Sequence, residues 1–210
     1  RNSGGESLIS FDASVNYSTG TKPYHLASGD IDNDGKIDIV VVNFSSASVS
    51  VFINNSTSGN INFLPKIDFP VIAYSQFVAI EDIDLDGKKD ILILAPQDNK
   101  LSFLKNTTTI IGTPSFNPKI DYTTSSYPSS LRVNDIDGDQ KPELIIVNYG
   151  SSTISVFLNK SNSGVLSLSE KVDFVCNYSS DNVFVNDFDG DAKPDILTSA
   201  TNGTISILKN

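Results

Sequence analysis

The sequence predicts an all-β fold assembled from four like units, and three observations predict it. An Asp-rich nonapeptide recurs four times, with starts 52, 53 and 52 residues apart. Each copy is followed by a short apolar run and then by an alternating apolar–polar run. Helical periodicity is absent throughout.

The elements of one unit follow in order. The segments leading into the Asp loops, Leu26-Ala27, Phe77 to Ile80, Leu131 to Val133 and Val183 to Val185, read as a first strand, A. Ile39 to Val42, Ile91 to Leu94, Leu144 to Val147 and Ile196-Leu197 read as strand B, apolar on both faces and so buried between neighbouring layers. After a polar turn, Val49 to Ile53, Leu101 to Leu104, Ile154 to Leu158 and Ile205 to Leu208 alternate with period 2, as strand C should. A Ser/Thr/Gly/Asn-rich connection leads to strand D, written Lys66-Ile-Asp-Phe69, Lys119-Ile-Asp-Tyr122 and Lys171-Val-Asp-Phe174, with Phe11-Asp12 as a shorter N-terminal counterpart. Four short strands in a unit of about 52 residues fit a blade of a β-propeller. The expected architecture is one propeller domain over 1–210, with sequence repeats at about 11–64, 65–117, 118–169 and 170–210. Four antiparallel blades then form a small closed ring, with the N-terminal D-like strand covering the last open edge. Alternatively they form an arc of a larger propeller, or one that self-associates to complete it.

The Asp loops carry the chemistry. They read D-I-D-N-D-G-K-I-D from Asp30, D-I-D-L-D-G-K-K-D from Asp82, D-I-D-G-D-Q-K-P-E from Asp135 and D-F-D-G-D-A-K-P-D from Asp187. Carboxylates at positions 1, 3, 5 and 9, with the backbone carbonyl of position 7, offer a hard cation an all-oxygen shell. The predicted ligands are Asp30, Asp32, Asp34, Lys36 and Asp38 in the first loop, and Asp82, Asp84, Asp86, Lys88 and Asp90 in the second. The third offers Asp135, Asp137, Asp139, Lys141 and Glu143, and the fourth Asp187, Asp189, Asp191, Lys193 and Asp195; each lysine acts through its carbonyl. Up to four Ca²⁺ ions are expected. Crowded carboxylates repel unless a cation neutralises them, and four such ions bring the formal charge from −10 to about −2. Gly35 and Gly87 at position 6 ease the turn, where loops three and four have Gln140 and Ala192. On that ground the first two sites are expected to be the tighter. The loops are not EF-hands, because position 12 falls inside a strand.

Composition narrows the function classes. A charge of −10 and no basic cluster argue against nucleic acid and against anionic membrane surfaces. No apolar run is long enough to insert in a membrane. Cys176 is the single cysteine and is expected to be a small core residue; His25 is expected to be a loop residue. Without an initiator Met or a signal-like start, the chain is expected to be a piece of a longer precursor or a processed form. The sequons, among them those at Asn16, Asn55, Asn106, Asn177 and Asn202, arise readily in a chain so rich in Asn and Ser.

The pattern D-x-D-x-D-G-x-x-D, then an apolar strand, a polar turn and V-S-V-F-I-N, resembles the FG-GAP/VCBS repeat of integrin α-subunits and many bacterial extracellular proteins. The resemblance covers Phe11 to Asn210. It implies a β-propeller with calcium in each A–B hairpin and partners on the opposite face, and commonly seven blades. On that opposite face the sequence sets Tyr17, Tyr24, Tyr74, Tyr127 and Tyr178 in D–A connections and Tyr149 in a B–C turn. Tyrosine suits protein partners and sugar rings alike. The leading expectation is a secreted or cell-surface, calcium-stabilised module for adhesion or recognition of a protein or glycan. A lectin-like role is the alternative. A calcium-dependent polysaccharide lyase ranks below both, because no nucleophile–base pair is in sight and the recurrent lysines look architectural; no enzyme activity is expected.

Overall fold

The computed structural model describes residues 11–176 and 178–210. The sequon at Asn177 therefore begins outside the described residues. Among these residues, fifteen strands form four antiparallel sheets. The first holds β1 (Pro23–Gly29), β2 (Asp38–Asn43), β3 (Ser48–Phe52) and β4 (Ile67–Pro70) in sequence order. The second holds β5 (Phe77–Glu81), β6 (Asp90–Ala95), β7 (Lys100–Leu104) and β8 (Ile120–Thr123). The third holds β9 (Pro128–Asn134), β10 (Glu143–Asn148), β11 (Thr153–Phe157) and β12 (Val172–Val175). The fourth has three strands, β13 (Ser180–Asn186), β14 (Asp195–Ala200) and β15 (Ile205–Leu208). This is the blade architecture of a β-propeller, with A, B, C and D strands side by side.

The hydrogen-bonded unit is offset from the sequence repeat. Each D strand pairs with the C strand before it, Val51 against Ile67 and Phe103 against Ile120, so it closes one blade rather than opening the next. The C–D connection makes this possible by folding back as a hairpin extension. Bridges at Asn54–Phe63, Asn106–Phe116 and Asn159–Leu168 carry the C strand onward, and tight bridges such as Thr57–Asn60 turn it.

The D-strand motif now has a physical reason. Ser50 Oγ donates to Asp68 at 2.6 Å, Ser102 Oγ to Asp121 at 2.7 Å and Ser155 Oγ to Asp173 at 2.6 Å. Lys66, Lys119 and Lys171, two residues before each Asp, pair with the same carboxylate. In β15 the matching Ser206 lies on an edge with no partner strand among the described residues. Phe11-Asp12, expected as a D-like strand, forms no strand, and Phe11 is 92% exposed. The four sheets make an open arc, not the closed ring.

The core consists of three slabs between consecutive sheets. Val40, Val42, Val49 and Val51 meet Val78, Ile91 and Ile93 in the first. Leu92, Leu94 and Phe103 meet Leu131, Leu144 and Ile146 in the second. Val147, Ile154, Val156 and Cys176 meet Val183 and Ile196 in the third. β6 and β10 are thus buried on both faces, as their apolar runs predicted, whereas β15 leaves Ile205 and Ile207 exposed. The A strands pack in series, β1 on β5, β5 on β9 and β9 on β13. That order sets all four A–B hairpins on one face of the arc.

Candidate metal centres

Every Asp loop folds the same way. The carboxylate at position 1 accepts the N–H of position 6: Gly35 to Asp30 at 2.9 Å, Gly87 to Asp82 at 2.8 Å, Gln140 to Asp135 and Ala192 to Asp187 at 2.9 Å. The carboxylate at position 5 accepts the N–H of the lysine at position 7, from Lys36, Lys88, Lys141 and Lys193. These bonds wrap each backbone around its own acids. The wrap needs two left-handed residues per loop. Position 4 has φ of 58° at Asn33, 62° at Leu85, 82° at Gly138 and 81° at Gly190. Position 6 has φ of 85° at Gly35 and Gly87, 69° at Gln140 and 67° at Ala192. Each loop therefore has one glycine and one strained non-glycine. The expected ranking of loops by position 6 alone loses its basis, because Leu85 is strained where Gly190 is not.

Position 9 anchors the loop to the sheet. Asp38, Asp90, Glu143 and Asp195 are all buried. Each accepts the N–H of position 2, for example Ile31 to Asp38 at 2.8 Å and Ile136 to Glu143 at 2.9 Å. Each also accepts the N–H of an asparagine just past strand C: Asn54 to Asp38, Asn106 to Asp90, Asn159 to Glu143 and Asn210 to Asp195. The longer Glu143 fits by reaching the same two donors. Burial pushes the Asp90 carboxyl up to about 7, and the neighbouring charges of Asp84 and Asp86 add to the rise against the opposing backbone N–H bonds. Burial also raises Asp38 and Glu143.

The result is a carboxylate cluster in each loop, with one oxygen per residue lying within 4.8 Å of the others. The clusters are Asp30, Asp32 and Asp38; Asp82, Asp84 and Asp86; Asp135, Asp137 and Glu143; and Asp187, Asp189 and Asp195. The structure thus gathers three of the four predicted carboxylates per loop. Asp34, Asp139 and Asp191 fall outside their clusters, and in the second loop Asp90 does. The donor set is oxygen only, which suits a hard cation and not zinc or copper. Asp84 adds a sharper observation: it is fully buried, and its Oδ1 has no hydrogen-bond donor among the described residues. A buried acceptor in that state is costly unless something positive reaches it. The loops therefore fit a metal ion.

Sequence reasoning missed the asparagines. Asn106 Nδ2 donates to Ile31 O in the preceding blade's loop and to Lys89 O in its own, both at 2.8 Å. Asn159 does the same to Ile83 O at 2.9 Å and Pro142 O at 3.1 Å, and Asn210 to Ile136 O at 2.6 Å and Pro194 O at 3.2 Å. Each latch ties one loop to the next blade. Gly112 N–H, from the second blade's C–D hairpin, also donates to Asp32 of the first loop at 2.6 Å. The signal was available as a recurrence, since these asparagines keep nearly the spacing of the Asp loops.

On the opposite face, Tyr24, Tyr127 and Tyr149 join His25, Phe77 and Asp181 around a cleft of about 720 Å³ that spans all four blades. Tyr24 stacks on Phe44 at 5.7 Å, and Phe44 contacts Tyr74 at 5.2 Å. Tyr178 is exposed and outside the cleft. Tyr17 departs from expectation: it packs edge-on against Phe63 at 5.3 Å and Phe52 at 6.3 Å, beside the C–D connection, because those rings offer it an apolar seat. His25 is not a loop residue. It lies in β1, stacked on Phe77 at 4.2 Å.

Comparison with known proteins agrees with this geometry. A family model described as FG-GAP-like repeat matches residues 30–93, 82–146 and 135–198. A search of curated proteins gives no match. The crystal structure of BBS1N in complex with ARL6DN, soaked with lead, is similar with a TM-score of 0.57 at 11% identity, covering 91% of this chain and 58% of that one. The mercury-soaked form of that complex gives 0.55 at 12% identity, over 91% and 59%. A protein from Lactobacillus plantarum gives 0.47 at 12% identity, over 89% and 54%. This chain spans less than two thirds of the length of these structures, and at such identities the likeness concerns the fold alone. Among the described residues no helix is long and apolar enough to cross a membrane.

Proposed function

Since the chain belongs to the FG-GAP-like repeat family, we propose that it is a calcium-stabilised extracellular interaction module. The observation that supports this most is the fourfold convergence of carboxylate oxygens in the A–B hairpins. Asp30, Asp32 and Asp38 would hold the first ion, and the corresponding clusters the other three. The ion supplies positive charge to acids that the fold has already brought together. The residues do the rest: position 1 shapes the turn, position 9 anchors it, and the asparagine latch passes its order to the next blade. Millimolar calcium outside cells fills even weak sites of this kind, which is why an extracellular setting suits them.

The test is thermal unfolding of the stripped chain against the chain in millimolar CaCl₂. A site held at a hundredfold excess over its Kd adds about 2.7 kcal/mol, so several sites together should raise Tm by many degrees. Identical melting curves in CaCl₂ and in excess EDTA would refute the reading.

The cleft around Tyr24, Tyr127 and Tyr149 supports a second reading for the opposite face, a glycan ligand. Flat rings stack on sugar faces while Asp181 and Gln76 offer hydroxyl partners. A glycan array that stays blank, beside a protein partner that binds and is lost in a Tyr127→Ala variant, would assign the face to protein. Turnover of acidic polysaccharide lies outside the proposal, and a lyase assay checks it.

A further inference from the structure

The four loops differ in one respect that their shared motif hides. The residue just before the latch asparagine is Ile53, Lys105, Leu158 and Lys209 in the four blades. Lys105 Nζ pairs with Asp84, lies 3.0 Å from Asp86 Oδ2, and donates to Gly164 O of the third blade at 2.7 Å. It thus contacts two of the three acids of the second cluster. Lys209 Nζ pairs with Asp189, a member of the fourth cluster, and lies 3.4 Å from Asp191. In the first blade Ile53 is buried in the slab between sheets, and in the third Leu158 lines an apolar cavity with Ile136 and Val156. Lys36 and Lys141 do pair with Asp34 and Asp139, but neither of those acids belongs to a cluster. Among the described residues, no ammonium touches a clustered acid of loops one or three.

We propose that Lys105 and Lys209 are affinity-determining residues that make loops two and four the weak cation sites and leave loops one and three as the tight ones. This rests on the reading of the loops as calcium sites. The argument is electrostatic. A divalent ion entering loop two must displace the ammonium, breaking two ion pairs, or accept its repulsion at short range. Either course lowers affinity. The lysine does not abolish the site, because it serves Oδ2 of Asp84 and leaves the buried Oδ1 without a donor. In the stripped chain the same lysines neutralise part of loops two and four, while loops one and three depend on an added cation. The alternation departs from the order expected from the glycines at position 6 at loops two and three.

The experiment is calorimetric titration of the EDTA-stripped full chain with CaCl₂. The wild type should show two classes of two ions each. In the double variant Lys105→Leu, Lys209→Leu, the weak class should tighten by roughly tenfold, the factor expected for removing one competing charge from each site. The melting temperature of that variant in EDTA should fall, since its ion pairs are gone. The reverse variant Leu158→Lys starts from an exposed side chain and should move one ion from the tight class to the weak one. Unchanged isotherms in both variants, with calcium still bound, overturn this inference alone. A wild type that takes up no calcium overturns it together with the function proposed above.

Discussion

Asn106 donates from one amide to two loop carbonyls in different blades, and its Oδ1 accepts the N–H of Thr108 at 2.9 Å. It is fully buried, so Asn106→Ala strands acceptors that water cannot reach. Loss of about 2–4 kcal/mol in urea unfolding is expected. Asn54, at the same motif position, donates its side-chain amide among the described residues to Ile37 O alone, and Asn54→Ala should cost clearly less. His25 gives a second expectation. Its burial, with the guanidinium of Arg132 nearby, lowers its pKa below the usual 6.5. The neutral ring is therefore the native form. Its contribution is complete above pH 6.5 and is lost as pH falls through the lowered native value. Unfolding measured from pH 7 down to pH 5 should show a steeper acid-side fall in the wild type than in His25→Gln. The clustered acids were legible at this scale because carboxylates at odd positions of a turn have few other reasons to recur. The asparagines were not, because an Asn in a Ser/Asn-rich stretch reads as turn chemistry. Lys105 and Lys209 were not either, because matching repeats draws attention to what is shared.

Within each element, the Asp loop trades backbone comfort for convergence of its acids. Ala192 at φ 67° and Leu85 at φ 62° sit where a side chain is strained. Ala192→Gly should therefore stabilise the stripped chain by up to about 1 kcal/mol, read as a rise in urea midpoint. Leu85→Gly should act in the same direction. The strands themselves were readable from period-2 alternation and from two-sided apolar runs. The A–B–C–D order was readable too, although the sequence repeats were drawn to begin at strand D. A strand pairs with whatever edge its connection delivers it to, and the C–D hairpin delivers β4, β8 and β12 backwards.

At the scale of the molecule, the slabs between blades carry the cooperativity. β10 has a neighbour on each face, while among the described residues β14 and β15 face a neighbour on one side only. Hydrogen exchange should follow this: amides of β15 exchange orders of magnitude faster than those of β10. Equal protection across all four blades would contradict the layered core. The repeat count and the all-β class were plain from spacing. That the blades form an arc was not, because closure depends on the splay between neighbouring sheets, a quantity that no single repeat encodes.

The asparagine latch has one more consequence. Both of its halves, the amide donor and the carbonyl at position 2 of the Asp loop, are carried by every repeat. A whole repeat copied into the chain, or cut out of it, would present each junction with the same knuckle it had before. Growth and shortening in units of one blade therefore need no new contacts to be invented. A graft of one extra copy between the second and third blades should fold with its neighbours as readily as the parent does.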